Sequence, residues 1–132
     1  MERPRVLVTG FGPFPGVPEN PSAWLIEALA ERWPSAEFDG EIHARILPTE
    51  WDTAALMPRL YETLQPHVMI HFGVSEHAKT IRIERSAHNR AAPRADAKGA
   101  RPASPVIRAE GPDRLDTAFP AGALARHLKS SG

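Results

Sequence analysis

The sequence predicts an α/β fold in three layers, with helices on both faces of an open, twisted, mostly parallel sheet. Two observations carry that expectation. Short apolar runs alternate with amphipathic helical stretches in the series strand, helix, strand, helix, strand, the pattern of a doubly wound sheet. The first run, Val6-Leu7-Val8-Thr9-Gly10-Phe11-Gly12-Pro13-Phe14, ends in a stiff aromatic loop that feeds a capped helix, where open α/β sheets place ligands. A third observation qualifies the first two. After the last helix nothing remains to pair with the sheet, so the alternation halts in mid-course and the expected sheet is C-terminally incomplete.

Arg5 to Thr9 is short, apolar and β-branched, as suits a strand covered on both faces. Asn20 is placed to accept from the free amides of a first helical turn, and Pro21 sits where its missing N–H loses nothing, so a helix starts at Pro21. Trp24, Leu25, Ala28, Leu29 and Trp33 recur at helical spacing and predict the stripe that packs on the sheet, with Pro34 as the stop. Ile42 to Leu47 reads as the second strand, and Thr49 with Asp52 three residues later resembles a capping box. Pro58 either kinks the following helix or marks the first turn of a new one over Pro58–Leu64, and the second reading is preferred because an interior proline clashes with the preceding turn.

His67 to Phe72 is the third apolar strand. Between Lys79 and Ala87 the period changes to two, with Ile81 and Ile83 on one face and Arg82, Glu84 and Ser86 on the other, which predicts a half-exposed strand. From Asn89 to Asp116 periodicity is lost, and only Val106 to Arg108 has strand character. A final helix runs from Pro120 to about Lys129, with Leu124 and Leu128 one turn apart.

With 132 residues and 42% hydrophobic content, the chain is long enough to bury a core as one α/β domain over 1–132. Sixteen basic and sixteen acidic residues cancel, so no global field recruits nucleic acid or an anionic membrane surface. No apolar stretch approaches the roughly 20 residues that span a bilayer, and the N-terminus runs straight into a strand, so a cytoplasmic location is expected. There is no cysteine, which removes disulfides and thiol chemistry from within these residues.

Gly10, Gly12 and Gly16 follow a strand, but the spacing is GxGxxxG and two prolines interrupt the amides that would cradle a phosphate, so nucleotide binding is the weaker reading. Phe11 and Phe14, three residues apart in the loop, are candidate walls of a small apolar pocket, with core plugging as the alternative. Glu84 is the best candidate catalytic group, because Arg82 and Ser86 on the same face favour an ionised carboxylate that orients a histidine or holds a substrate amide; the alternative is a solvated surface pair. His43, His67, His71, His77, His88 and His127 show no ligand spacing, so neither metal nor other cofactor is expected, and His71 reads as a hydrogen-bonded core residue. No GxSxG elbow is present.

Three ordered motifs now stand together: Val8 to Phe14 with Asn20-Pro21-Ser22, then His71-Phe72-Gly73-Val74, then Ile83-Glu84-Arg85-Ser86-Ala87-His88-Asn89. They resemble the pyroglutamyl peptidase I, or pyrrolidone-carboxylate peptidase, family of cysteine peptidases, and they match the N-terminal portion of its pattern. The resemblance implies a phosphorylase/hydrolase-like α/β/α sandwich and removal of N-terminal pyroglutamate from peptides by a Cys–His–Glu triad. Glu84 matches the family's catalytic glutamate in its E-R-x-A-x-N motif, where it would orient the imidazole. Phe11 and Phe14 match the aromatics that sandwich the lactam, and Val74 lies in the segment whose backbone binds the lactam carbonyl. Pro15 stands where the family commonly has glycine, and Ser75 to Lys79 lacks the usual Gly-Arg pair. The family's nucleophilic cysteine and catalytic histidine fall beyond Gly132 in its pattern, so these residues alone are expected to be inactive. A non-catalytic short paralogue that binds a lactam or a protein partner is the alternative. Unpaired sheet edges and uncovered apolar faces also predict self-association into a homo-oligomer or, as the alternative, marginal stability.

Overall fold

The computed structural model describes residues 2–33 and 37–132. By contacts they form two compact units, Met1–Val74 with Arg94–Arg101, and Ser75–Pro93 with Pro102–Gly132.

The first unit is built on a three-stranded parallel sheet. Strand β1 (Arg5–Phe11) is central, flanked by β2 (Glu41–Leu47) and β3 (Val68–His71) in the order β2-β1-β3. Val8 lies opposite Ala44 on one side and Ile70 on the other. A central parallel strand is covered on both faces, and Leu7, Val8 and Thr9 are accordingly buried. The strand runs two residues further than its apolar pattern indicates, because Gly10 and Phe11 remain in register with Ile46 and Leu47.

Helix α1 (Pro21–Glu31) begins as expected, with Asn20 as its cap and Pro21 in its first turn. Its packed face differs from the predicted stripe. Ser22 and Ile26 are the buried residues, with Leu29 and Trp33 half-buried along the same line, whereas Leu25 is exposed and Trp24 is 72% exposed. The helix is turned by its contact with Gly10: a Cβ there would lie 2.5 Å from the Ser22 carbonyl oxygen and 2.8 Å from Ile26 Cγ1, so Ser22 and Ile26 face the strand. The stop assigned to Pro34 lies outside the described residues.

The predicted Thr49–Asp52 capping box does not form. Glu50 precedes a single 3-10 turn, Trp51–Ala55, without a side-chain cap, and the Thr49 hydroxyl donates elsewhere, to the Gly12 carbonyl at 2.8 Å. That turn runs into α2 (Leu56–Leu64), which starts two residues before Pro58. Pro58 thus falls in the first turn, where a backbone N–H has no helical acceptor, so the helix is not kinked there.

In the second unit, β4 (Ser86–His88) pairs antiparallel with β5 (Arg114–Asp116), and α3 (Ala121–Ser130) follows. The strand expected over Lys79–Ala87 is therefore limited to its end. Alternation specifies two faces but not a partner, and only the stretch beginning at Ser86 finds one; Ile81, on the supposed apolar face, is 82% exposed. The strand character of Val106–Arg108 is not realised either. The Asn89 side chain clips this segment as a loop, accepting from Arg108 N–H at 2.9 Å and donating to Arg108 O at 2.7 Å. The partner of β4 is instead Arg114–Asp116, inside the stretch read as featureless.

The Gly10 contact yields a prediction. Gly10→Ala forces its methyl against backbone, so it should destabilise the chain by about 1–3 kcal/mol in urea denaturation. An unchanged midpoint would mean that α1 moves away from β1 freely and that the close approach is not required.

Candidate functional site

The loop after β1, at the C-terminal end of the parallel sheet, carries the candidate residues Phe11 and Phe14. Gly12 N–H donates to the Leu47 carbonyl at 2.9 Å, extending the pairing with β2 one residue past the strand. Phe14 and Val17 exchange backbone hydrogen bonds at 3.1 and 2.8 Å and close the loop, with Gly16 supplying the left-handed turn at φ 87°. Phe11 and Phe14 are both half-buried, and neither is among the fully buried core residues.

A buried polar cluster fixes this loop to the helix. Asn20 Oδ1 accepts from Ser22 N–H at 3.0 Å and from the Ser22 hydroxyl at 2.7 Å, while Ser22 Oγ accepts from Phe11 N–H at 2.9 Å. Asn20 Nδ2 donates to Gly12 O at 2.9 Å, the same oxygen that Thr49 Oγ1 reaches. The Gly12 carbonyl thereby receives two donors, one on each side of the loop. Asn20 was legible in the sequence as a helix cap and as part of the Asn20-Pro21-Ser22 motif; its bond to Gly12, and the roles of Ser22 and Thr49, depend on contacts that no local spacing reveals.

From β3, Phe72 N–H donates to Thr9 O at 2.8 Å and carries the chain into Gly73 and Val74 beside the loop. A Cβ at Gly73 would sit 4.0 Å from Phe11 Cδ2, so the glycine leaves the ring edge uncrowded. Val74 itself is exposed. His71 Nδ1 lies 2.7 Å from Oγ1 of fully buried Thr9. The histidine is hydrogen-bonded as expected but is a partly exposed residue at the end of the strand, not a core one. Desolvation around its ring pushes its pKa below the ordinary imidazole value.

Glu84 belongs to the second unit. Its carboxylate lies 3.7 Å from the Arg82 guanidinium, with the Glu84 side chain 74% exposed, so of the two expected neighbours the cation is present. Ser86 is not the other. Its hydroxyl donates to Asp116 Oδ1 at 2.7 Å across the β4–β5 pair, and that bond, together with Arg114, holds the Asp116 carboxyl below its usual range. Among the described residues no group of three or more His, Asp or Glu side chains is arranged to hold a metal ion, and no helix is long and apolar enough to cross a membrane.

A model of the pyroglutamyl peptidase family matches residues 4–132. Pyroglutamyl-peptidase 1 of Homo sapiens is 31% identical over 135 residues, covering all of this chain and 64% of that protein. Pyrrolidone-carboxylate peptidase of Cupriavidus taiwanensis is 36% identical over 132 residues, covering 98% of this chain and 59% of that protein. The crystal structure of pyroglutamyl peptidase I from Bacillus amyloliquefaciens superposes with a TM-score of 0.82 at 30% identity, over 98% of this chain and 63% of that one. A mutant pyrrolidone carboxyl peptidase from Pyrococcus furiosus superposes at 0.87 with 27% identity, over 97% and 61%. The chain thus spans less than two thirds of the length of each of these relatives.

The His71 environment predicts a pH effect of definite sign. A folded-state pKa below the unfolded value means that the unfolded chain binds the proton more readily. Stability should therefore be full above the ordinary imidazole pKa of about 6.5 and decline as pH falls through it toward the folded value. Urea midpoints between neutral pH and mildly acidic pH should fall in the parent chain and fall less in His71→Asn; identical slopes would exclude His71 as the source.

Proposed function

The chain belongs to the pyroglutamyl peptidase family, and on that premise we propose that it forms the lactam-recognising portion of an enzyme that removes N-terminal pyroglutamate from peptides. The observation that carries this reading is the loop after β1, whose backbone is fixed from α1 and from Thr49 while its two phenylalanines keep surface for a small ring. A flat, neutral lactam suits such a site, because its faces stack on aromatic rings while its amide needs directional backbone partners. In this reading Phe11 and Phe14 hold the faces of the ring, and backbone at Val74 hydrogen-bonds its carbonyl.

Glu84 is the proposed catalytic carboxylate. It would accept a hydrogen bond from an imidazole N–H, fixing the tautomer whose other nitrogen takes the proton of a thiol. The thiolate would then add to the pyroglutamyl carbonyl, the imidazolium would protonate the departing amine, and water would release pyroglutamate from the acyl-enzyme. The 132 residues contain no cysteine, so that nucleophile is not among them. These residues alone are therefore proposed to bind and not to hydrolyse.

Isothermal titration with 2-pyrrolidone tests the recognition half. Saturable heat is expected, with Phe11→Ala and Phe14→Ala each weakening affinity by about tenfold, in line with the loss of one aromatic stacking contact. Absence of saturation in the parent chain would sink the reading. A pyroglutamyl-coumarin assay on the same sample should give no thiol-sensitive hydrolysis.

Self-association is part of the same proposal. Met69 and Ile70 on β3 and Trp24 on α1 are exposed, and burying them against another copy would remove apolar surface from water. Sedimentation velocity should show mass increasing with concentration; a monodisperse monomer would contradict it.

A further inference from the structure

The segment Arg94–Arg101 lies twenty residues beyond Val74, yet it packs with the first unit. Its anchor is Asp96, a buried side chain in a stretch whose composition signals only a loop. Asp96 Oδ2 accepts from Trp51 N–H at 3.0 Å, and Oδ1 accepts from Lys98 N–H and Ala100 N–H, each at 2.9 Å. Asp96 N–H donates to Ala100 O at 2.8 Å, and Gly99, at φ 80°, makes the left-handed turn between them. Trp51 adds a second tie, its indole N–H donating to Arg94 O at 2.9 Å. Lys98 Nζ meets Glu50 Oε2 at 2.8 Å on the more exposed side of the turn.

The turn connects to the aromatic loop through one residue. Ala97 N–H donates to Thr49 O at 2.9 Å, and Thr49 Oγ1 donates to Gly12 O at 2.8 Å, between Phe11 and Phe14 in sequence. The bonds from Trp51 and Ala97 bracket Thr49 and restrict where its hydroxyl can point. We infer that Asp96 is a positioning residue for the Phe11–Phe14 loop, acting through Thr49. It rests on the lactam reading for its functional meaning, but its physical content is independent of any ligand. Without the carboxylate, Trp51, Lys98 and Ala100 lose their acceptor, the turn no longer holds Thr49, and the Gly12 carbonyl keeps only the donor from Asn20.

Amide hydrogen exchange by NMR on the 132-residue chain tests it, with Asp96→Ala, Asp96→Asn, Thr49→Val and the double variant Asp96→Ala/Thr49→Val. Asp96→Ala should accelerate exchange at Gly12 and Phe14 by about tenfold while Leu7 and Val8 in β1 are unchanged, as expected for local rather than global opening. Asp96→Asn, which keeps one oxygen acceptor, should fall between the parent and Asp96→Ala. If Asp96 acts through Thr49, the double variant is no faster at Gly12 than the faster single variant. Unchanged exchange at Gly12 and Phe14, equal acceleration throughout β1, or additive effects would each overturn the inference. Should Asp96→Ala fail to fold, the Asp96→Asn pattern decides by the same criterion. Titration with 2-pyrrolidone separates the two claims. Binding by the parent weakened about tenfold in Asp96→Ala supports both; no binding by the parent removes the lactam reading and leaves the exchange result to judge Asp96.

Discussion

The hydrogen bonds among Asn20, Ser22, Phe11 and Gly12 are the constraint on which the first unit depends. They join the end of β1, the start of α1 and the loop between them, and both side chains involved are buried. Buried polar groups are tolerated only when satisfied, and here each bond removes a vacancy at another level: Ser22 N–H is a helix-terminal donor, Phe11 N–H is a strand-end donor, and Gly12 O lies in the loop. The cluster closes only because α1 rests directly on Gly10, where any Cβ would collide with the Ser22 backbone. The glycine is therefore required by the approach of two elements and not by an unusual φ.

That arrangement explains why an irregular loop can serve as a rigid wall. A proline-rich segment with few regular partners is ordinarily among the more mobile parts of a fold. Here the Gly12 carbonyl is gripped from α1 by Asn20 and from the β2 side by Thr49, and the Phe14–Val17 pair closes the remainder. Under the proposed function, order held in the backbone before a ligand arrives would reduce the entropy lost on binding, which matters most for a ligand as small as a five-membered ring.

Much of this was legible in the residues. The three parallel strands announce themselves as apolar runs, and Asn20-Pro21 marks the start of α1 because capping chemistry is local. What failed was whatever depends on a partner. Of the stripe Trp24, Leu25, Ala28, Leu29 and Trp33, the last three are half-buried but Trp24 and Leu25 are exposed, because the face that packs is chosen by the contact with Gly10 and includes Ser22, whose hydroxyl is needed by Phe11. Alternation from Lys79 to Ala87 predicts a strand, but only Ser86–His88 meets Arg114–Asp116. Asp96 carries no local signal at all, and Asn89 is visible only as the end of a motif and not as a clip, since each organises a loop by bonding to backbone that the loop itself brings near. At the candidate site, the aromatic loop could be read directly, whereas the side chains that hold it could not.

The same distinction separates recognition from chemistry in the proposed function. The loop's backbone is held by residues of this chain, so under that proposal the holding of a planar ring would draw on no group outside them. Glu84 is in a different physical position. Its carboxylate is largely in water with Arg82 at 3.7 Å, and an exposed pair of that kind is weak and does not fix the orientation of either group. A carboxylate that orients an imidazole does so through a short, directed hydrogen bond in a site from which water is displaced, and both the imidazole and that displacement must come from outside Glu84's own surroundings. Under the proposed function, binding is thus autonomous to these residues, while catalysis requires a thiol, an imidazole and a covering surface to be brought to Glu84.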